Sequence, residues 1–116
     1  KGIAVSRKQN KPIFINFTGI TCTNCRYMEH EVFPDPAVAK ELESFVKVEL
    51  YTDDGSAENN ANAKLREELT KASTNPTYVI LTADKKVLKV YQGLAEHTED
   101  FIKFLRDGKE AFGQSR

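Results

Sequence analysis

The chain has two cysteines among its 116 residues, Cys22 and Cys25, and they are separated by two residues. Such a pair can form one disulfide bridge, supply half of a metal site or act as a redox couple. Both stand where a helix is predicted to begin, and there unpaired backbone N–H groups and the helix dipole stabilise a thiolate. The spacing therefore predicts a dithiol in which Cys22 attacks a disulfide and Cys25, one helical turn on, resolves the mixed disulfide.

Two other uses of the cysteines compete with this one. A structural zinc site needs four ligands, and the candidates here are Cys22, Cys25, His30 and His97. The sequence has no second Cys-x-x-Cys and no closely spaced histidine pair, so we expect no metal and both histidines at the surface. In the other alternative, the cysteines form a static bridge that only supports the fold.

The elements that position the cysteines follow from the apolar pattern. Residues 13–17 form a short run rich in β-branched and aromatic types, which predicts a buried central strand. The segment after Cys22 has apolar residues at helical spacing. The full order is predicted to be helix, strand, helix, helix, strand, helix, strand, strand, helix, which favours an α/β fold with a mixed sheet and helices on both faces. Gly108 is expected to end the last helix and leave residues 109–116 as a loose tail.

A second motif, TNPTYVI at residues 74–80, places Pro76 directly before a predicted strand. A proline in this position usually marks only a turn. A cis Asn75–Pro76 bond packed near the cysteine turn would instead present the backbone of Asn75 to a substrate peptide. Both interpretations stay open at this point.

Bulk composition excludes several classes of protein. Lys plus Arg and Asp plus Glu each number 17, and this balance argues against a nucleic-acid surface. No apolar run approaches the ~20 residues that a membrane-spanning helix needs. The length predicts one domain, and because the chain begins with Lys1 we expect it to be part of a longer protein or a processed form. The acidic stretch at residues 53–58 resembles a fragment of a calcium loop without the full ligand spacing, so a solvated loop is predicted there.

Taken together, these residues resemble the thioredoxin superfamily. The strand IFINF, the Cys-x-x-Cys at a helix start, the NPT before a later strand and Gly93 after the last strand occur in the family's order. Residues 11–42, KPIFINFTGITCTNCRYMEHEVFPDPAVAKEL, are most similar to the C-terminal periplasmic domain of the DsbD thiol:disulfide interchange proteins. The resemblance implies a thioredoxin-like three-layer α/β/α sandwich with a mixed central sheet, spanning residues 1–116.

The resemblance also implies a protein-disulfide reductase that relays electrons and needs no cofactor beyond its redox-active disulfide. Such domains lie on the periplasmic face of a bacterial inner membrane as part of a membrane protein. They receive electrons from a membrane-embedded donor domain and pass them to periplasmic thiol-disulfide proteins, including those that serve cytochrome c biogenesis and disulfide isomerisation. We expect a monomer with no nucleic-acid partner. A disulfide oxidase or isomerase of the same fold, and a non-catalytic partner-binding domain, are the alternatives.

The family's site residues carry over to matching positions. Cys22 becomes the attacking thiol, Cys25 the resolving thiol and Pro76 the cis-proline beside them. Glu29 matches a family acid one helical turn past the second cysteine, where it would tune the two thiols. We expect partner proteins to dock on a shallow apolar surface around Ile20, Thr21, Asn75 and Pro76.

Two positions depart from the family pattern. Asn16 stands where many members have a buried Asp, and an amide cannot accept a proton as a carboxylate does. Proton handling would then fall to Glu29, to water or to the thiols; alternatively, Asn16 is simply a hydrogen-bonded core amide. Thr21 replaces the usual Trp, which shrinks the apolar surface beside the site.

Overall fold

The structure is a computed structural model and describes residues 2–53, 55–71 and 75–114. The helices are α1 (Gly2–Gln9), α2 (Thr23–Tyr27), α3 (Pro36–Leu42), α4 (Ala57–Thr70) and α5 (Thr98–Gln114). The strands are β1 (Ile13–Thr18), β2 (Val46–Tyr51), β3 (Thr77–Leu81) and β4 (Val87–Gln92). A π-helical segment, Met28–Val32, continues α2. The predicted order of helices and strands is confirmed, with this π-helical segment as an addition.

The strands form one sheet in the order β2-β1-β3-β4. Strand β1 runs parallel to β2 and antiparallel to β3, and β3 pairs antiparallel with β4. A parallel pair needs a crossover connection, which is supplied by the helical segments between β1 and β2. The sheet is therefore mixed, as predicted, and β1 is a central strand that is buried along its whole length.

Alternate side chains of β1 point to opposite faces of the sheet. On one face, the ring of Phe14 stacks on Tyr78 with centroids 5.6 Å apart, and Phe101 of α5 meets Tyr78 edge-on at 5.2 Å. Met28 and Val32, which follow the cysteines, belong to the same buried cluster. The segment that carries the cysteines is thus held to the sheet by apolar contacts.

The opposite face of the sheet has its own apolar cluster. Ile15 and Phe17 of β1 pack there with Val79 of β3, and Leu65 and Leu69 of α4 pack against them. Helices therefore cover both faces of the sheet, which gives the predicted three layers.

Helix α5 corrects one prediction. It passes Gly108 and runs to Gln114, so Gly108 does not end the helix and residues 109–114 are not a loose tail; residues 115 and 116 lie outside the described part of the chain. Gly108 is buried, and a Cβ there would lie 2.3 Å from Cδ1 of Ile80. The glycine is explained by this close approach of helix and sheet. Neither α5 nor any other described helix combines the length and apolar character needed to cross a bilayer.

Candidate active site

The two cysteines are joined in a disulfide at the start of α2, with their Cα atoms 5.2 Å apart. Cys22 is the N-cap residue, in an extended conformation with φ −83° and ψ 108°, and its Sγ accepts a hydrogen bond from the Cys25 N–H at 3.1 Å. Cys25 is 2% exposed, whereas Cys22 is only half-buried. Cys22 is therefore more accessible to an incoming group than Cys25. The roles of Cys22 in attack and Cys25 in resolution stay predictions.

The Asn75–Pro76 peptide bond is cis. The Pro76 side chain is fully buried, so its ring offers no exposed apolar surface. The carbonyl of Pro76 accepts a hydrogen bond from the N–H of Gly93 at 2.8 Å, and Gly93 has a φ of +83°, which favours glycine. The turn before β3 is thereby tied to the residue that follows β4.

The side chain of Asn75 is hydrogen-bonded at both of its polar atoms. Its Oδ1 accepts a hydrogen bond from Nη1 of Arg66 at 2.6 Å, and its Nδ2 donates to Oγ1 of Thr52 at 2.8 Å. Arg66 is buried, at 8% exposure. Burial lowers the pKa of the Arg66 guanidinium, while the charge of Glu67 acts in the opposite direction. Asn75 was predicted from the sequence, but its partners Arg66 and Thr52 were not.

The carboxylate of Asp53 holds the turn that precedes Cys22. It accepts hydrogen bonds from the Ile20 N–H at 2.9 Å and the Thr21 N–H at 3.3 Å, and a longer one from the Thr21 hydroxyl at 3.4 Å. These bonds, led by that of the Ile20 N–H, keep the pKa of Asp53 below its usual range. A Cβ at Gly19 would lie 2.7 Å from Oδ2 of Asp53, so glycine permits this approach. Residues 53 and 55–58 are exposed, as expected of a solvated loop, but Asp53 belongs to the site.

Glu29 faces a cation. Its Oε2 lies 3.2 Å from Nη2 of Arg26, and the same Nη2 donates to the carbonyl of Gly19 at 2.8 Å. The Glu29 side chain is 28% exposed. Arg26 therefore links Glu29 to the turn before Cys22. A role of Glu29 in tuning the thiols stays a prediction.

Asn16 lies in the middle of β1, in register with Tyr78 of β3. It is 7% exposed, and its Oδ1 accepts no hydrogen bond from the described residues. Asn16 is therefore a core amide, but its Oδ1 lacks the hydrogen bond that the alternative interpretation expected. Burial raises the pKa of the neighbouring Tyr78, and the charge of Glu29 raises it further, so Tyr78 stays neutral.

The predicted docking residues differ in accessibility. Ile20 is 57% exposed, Thr21 is exposed, Asn75 is half-buried and Pro76 is buried.

Within the described ranges, no group of three or more histidine, cysteine or acidic side chains is placed to hold a metal ion.

Three residues of the site were not predicted from the sequence: Thr52, Asp53 and Arg66. A signal existed for the first two, because β1 and β2 are parallel and the residues after parallel strands meet at the same edge of a sheet. Thr18 is indeed in register with Tyr51, and the Thr52 N–H donates to the Thr18 carbonyl at 3.1 Å.

Comparison with known proteins agrees with this geometry. A family model described as a thioredoxin-like domain matches residues 1–109. No curated protein matches the sequence. Among solved structures, a thioredoxin from Thermus thermophilus is similar with a TM-score of 0.74 and 23% identity, over 90% of this chain and 78% of that one. The oxidised DsbD C-terminal domain of Neisseria meningitidis also has a TM-score of 0.74, with 16% identity over 91% of this chain and 88% of that one.

At these identities the solved structures show the fold alone, and the family model spans most of the chain. The Cys22–Cys25 disulfide at the start of α2 is consistent with a thiol–disulfide oxidoreductase. The domain belongs to the thioredoxin-like family.

Proposed function

We propose that this domain is a disulfide reductase that relays electrons through Cys22 and Cys25. The observation that carries the proposal is the unequal exposure of the two cysteines, together with the hydrogen bond that the Cys25 N–H donates to the Cys22 sulfur at 3.1 Å. A hydrogen bond to the charged form of a group favours that form. Cys22 is therefore suited to attack, and the buried Cys25 is suited to wait until the mixed disulfide has formed.

The reaction starts from the dithiol. The Cys22 thiolate attacks one sulfur of the substrate disulfide, a Cys22–substrate bond forms, and the first substrate thiolate leaves. Cys25, after losing its proton, then attacks the Cys22 sulfur, and the second substrate thiolate leaves. Two electrons pass to the substrate, and the domain ends with the Cys22–Cys25 disulfide. Because β1 carries Asn16 where many thioredoxin-like proteins have a buried acid, we assign proton transfer to Glu29, water or the thiols.

The dithiol must then be regenerated by an electron donor. We propose a membrane-embedded donor domain and periplasmic thiol-disulfide proteins as the two partners, with a role in cytochrome c biogenesis. The structural likeness to a DsbD C-terminal domain supports this assignment, as do residues 11–42 of the sequence. The reacting surface would then lie on the periplasmic face of the inner membrane.

The first test is the reduction potential of the Cys22–Cys25 couple, measured by equilibration with a defined thiol buffer followed by alkylation. We expect a value in the range of about −200 to −270 mV, typical of glutaredoxins and thioredoxin. A value near the ~−120 mV of a strong oxidant would instead indicate a disulfide oxidase. Failure to equilibrate would indicate a static bridge in a partner-binding domain.

The second test traps the intermediate. In a Cys25→Ala variant, Cys22 should accumulate as a mixed disulfide with a substrate, because the resolving thiol is missing. A Cys22→Ala variant is the matched control and should trap little, since Cys25 is buried. Equal trapping by both variants would contradict the assigned order of attack.

A further inference from the structure

Arg66 is a buried cation that the exchange reaction does not use. It is 8% exposed on α4, and no carboxylate among the described residues forms an ion pair with it. Burying an unpaired charge is unfavourable. Leu65 and Leu69 of the same helix pack against the sheet, so an apolar side chain could be buried on this helix without that cost. What Arg66 binds must therefore explain why it is there.

The hydrogen bonds of Arg66 form a closed triangle. Nη1 of Arg66 donates to Oδ1 of Asn75 at 2.6 Å and to Oγ1 of Thr52 at 3.3 Å, and Nδ2 of Asn75 donates to the same Oγ1 at 2.8 Å. The Thr52 hydroxyl in turn donates to the carbonyl of Thr18 at 3.2 Å. The triangle thus connects Asn75, which directly precedes the cis-proline, to the end of β1, and β1 leads to Cys22.

We propose that Arg66 is a positioning residue that sets the distance between the Asn75–Pro76 turn and the turn carrying Cys22. The inference rests on the proposed function of disulfide exchange. Because Arg66 and Thr52 already bind both polar atoms of its side chain, Asn75 has its main chain left to contact a substrate. Arg66 then determines where the polypeptide around a substrate disulfide docks, and it takes no part in the sulfur chemistry.

This role makes a specific demand on substrates. A polypeptide disulfide must fit between the two turns, so a shifted Asn75 misaligns it relative to the Cys22 sulfur. A small disulfide such as hydroxyethyl disulfide approaches Cys22 without needing the second turn. Loss of Arg66 should therefore change the ratio of the two rates, whereas a general loss of structure would lower both together.

The experiment compares Arg66→Met with the wild-type chain. Using dithiothreitol to regenerate the dithiol, kcat and KM are measured for reduction of the interchain disulfides of insulin, and a second-order rate constant for hydroxyethyl disulfide. We expect the ratio of insulin kcat/KM to the small-disulfide rate constant to fall about tenfold, mainly through KM, because small misplacements of reacting groups have effects of this size or larger. Arg66→Lys should recover part of the ratio, since one cation can still reach Asn75.

Arg7→Met is the matched control, because Arg7 is exposed and pairs with Asp84 away from the site; its ratio should equal that of wild type. A folded Arg66→Met variant with an unchanged ratio, or with both rates reduced equally, would overturn the inference. Should Arg66→Met not fold, Thr52→Val breaks the same triangle, and an unchanged ratio there would overturn it as well. Wild type that reduces neither substrate would refute the proposed function itself.

Discussion

Replacing Asn16 with Asp tests how much stability the fold loses when a carboxyl group at the centre of the sheet ionises. Asn16 is 7% exposed in the middle of β1, and its Oδ1 receives no hydrogen bond from the described residues. Phe14 lies two positions earlier on the same face, in the aromatic cluster with Tyr78. An aspartate at this position would lie among apolar side chains and beside the neutral phenol of Tyr78. No described residue would donate a hydrogen bond to the oxygen that takes the place of Asn16 Oδ1.

The magnitude follows from the cost of ionising a buried carboxyl group. Burial of this kind raises the pKa of an aspartate by about 3 units, and each unit corresponds to about 1.4 kcal/mol. Because the folded-state pKa then lies above the unfolded value of about 3.9, the folded state binds more protons, and stability falls as pH rises. Asn16→Asp should cost under about 1 kcal/mol at pH 4, where the group is neutral, and about 4 kcal/mol at pH 7.

The assay is urea unfolding of the oxidised protein at several pH values between these limits. Asn16→Leu is the control of similar size, and it should be neutral or stabilising at every pH because it removes an unpaired polar atom. A cost of Asn16→Asp that is the same at pH 4 and pH 7 would refute the reasoning. It would mean that water or an unrecognised donor solvates the group.

Three further predictions concern other parts of the molecule. A hydrogen bond from Lys109 lowers the pKa of Glu41 below its ordinary 4.5; burial opposes this effect and Arg106 adds to it. The contribution of Glu41 to stability is therefore present above pH 4.5 and lost as pH falls. In urea unfolding, Glu41→Gln should destabilise the fold by about 1–2 kcal/mol at pH 7 but not in acid. Gly108→Ala should lower the free energy of unfolding by about 1–3 kcal/mol through overpacking. At Gly113 an added Cβ would meet nothing within 4 Å, so Gly113→Ala should raise the free energy of unfolding by about 0.5–1 kcal/mol. Equal effects of the two substitutions in thermal unfolding would contradict the close approach of α5 to the sheet. Asp53→Asn removes a negative charge beside the turn, so the Cys22 thiolate should form at lower pH in an ultraviolet titration of the reduced protein, and an unchanged titration would show that this charge does not reach the sulfur.

Local patterns predicted the frame of the site well. The apolar run of β1 and the Cys-x-x-Cys that follows it are each contained in a few neighbouring residues, and both lie where expected. The same holds for the cis bond before Pro76, which was one of two interpretations. In each case the sequence contains the physical cause, namely burial, helix geometry or the proline ring.

Features that depend on distant contacts were not predictable in this way. Arg66 looks like a solvent-facing position next to Leu65, because nothing near it in sequence shows that Asn75 and Thr52 come within reach. Gly108 has the form of a helix-ending residue, and only the approach of Ile80 reveals its other use. Such roles come from the packing of elements, which a one-dimensional pattern does not contain.

The bridge between Cys22 and Cys25 closes a loop with a sequence separation of 3. In the chain-entropy view, a cross-link stabilises a fold by restricting the unfolded chain, and a loop this short restricts it by only about 2 kcal/mol, against nearly 5 for a loop of about a hundred residues. Opening the bridge therefore removes about 2 kcal/mol from a net stability that is typically about 5–15 kcal/mol for a domain. The bond can therefore be broken and re-formed while the rest of the fold stays in place, as the proposed exchange reaction requires.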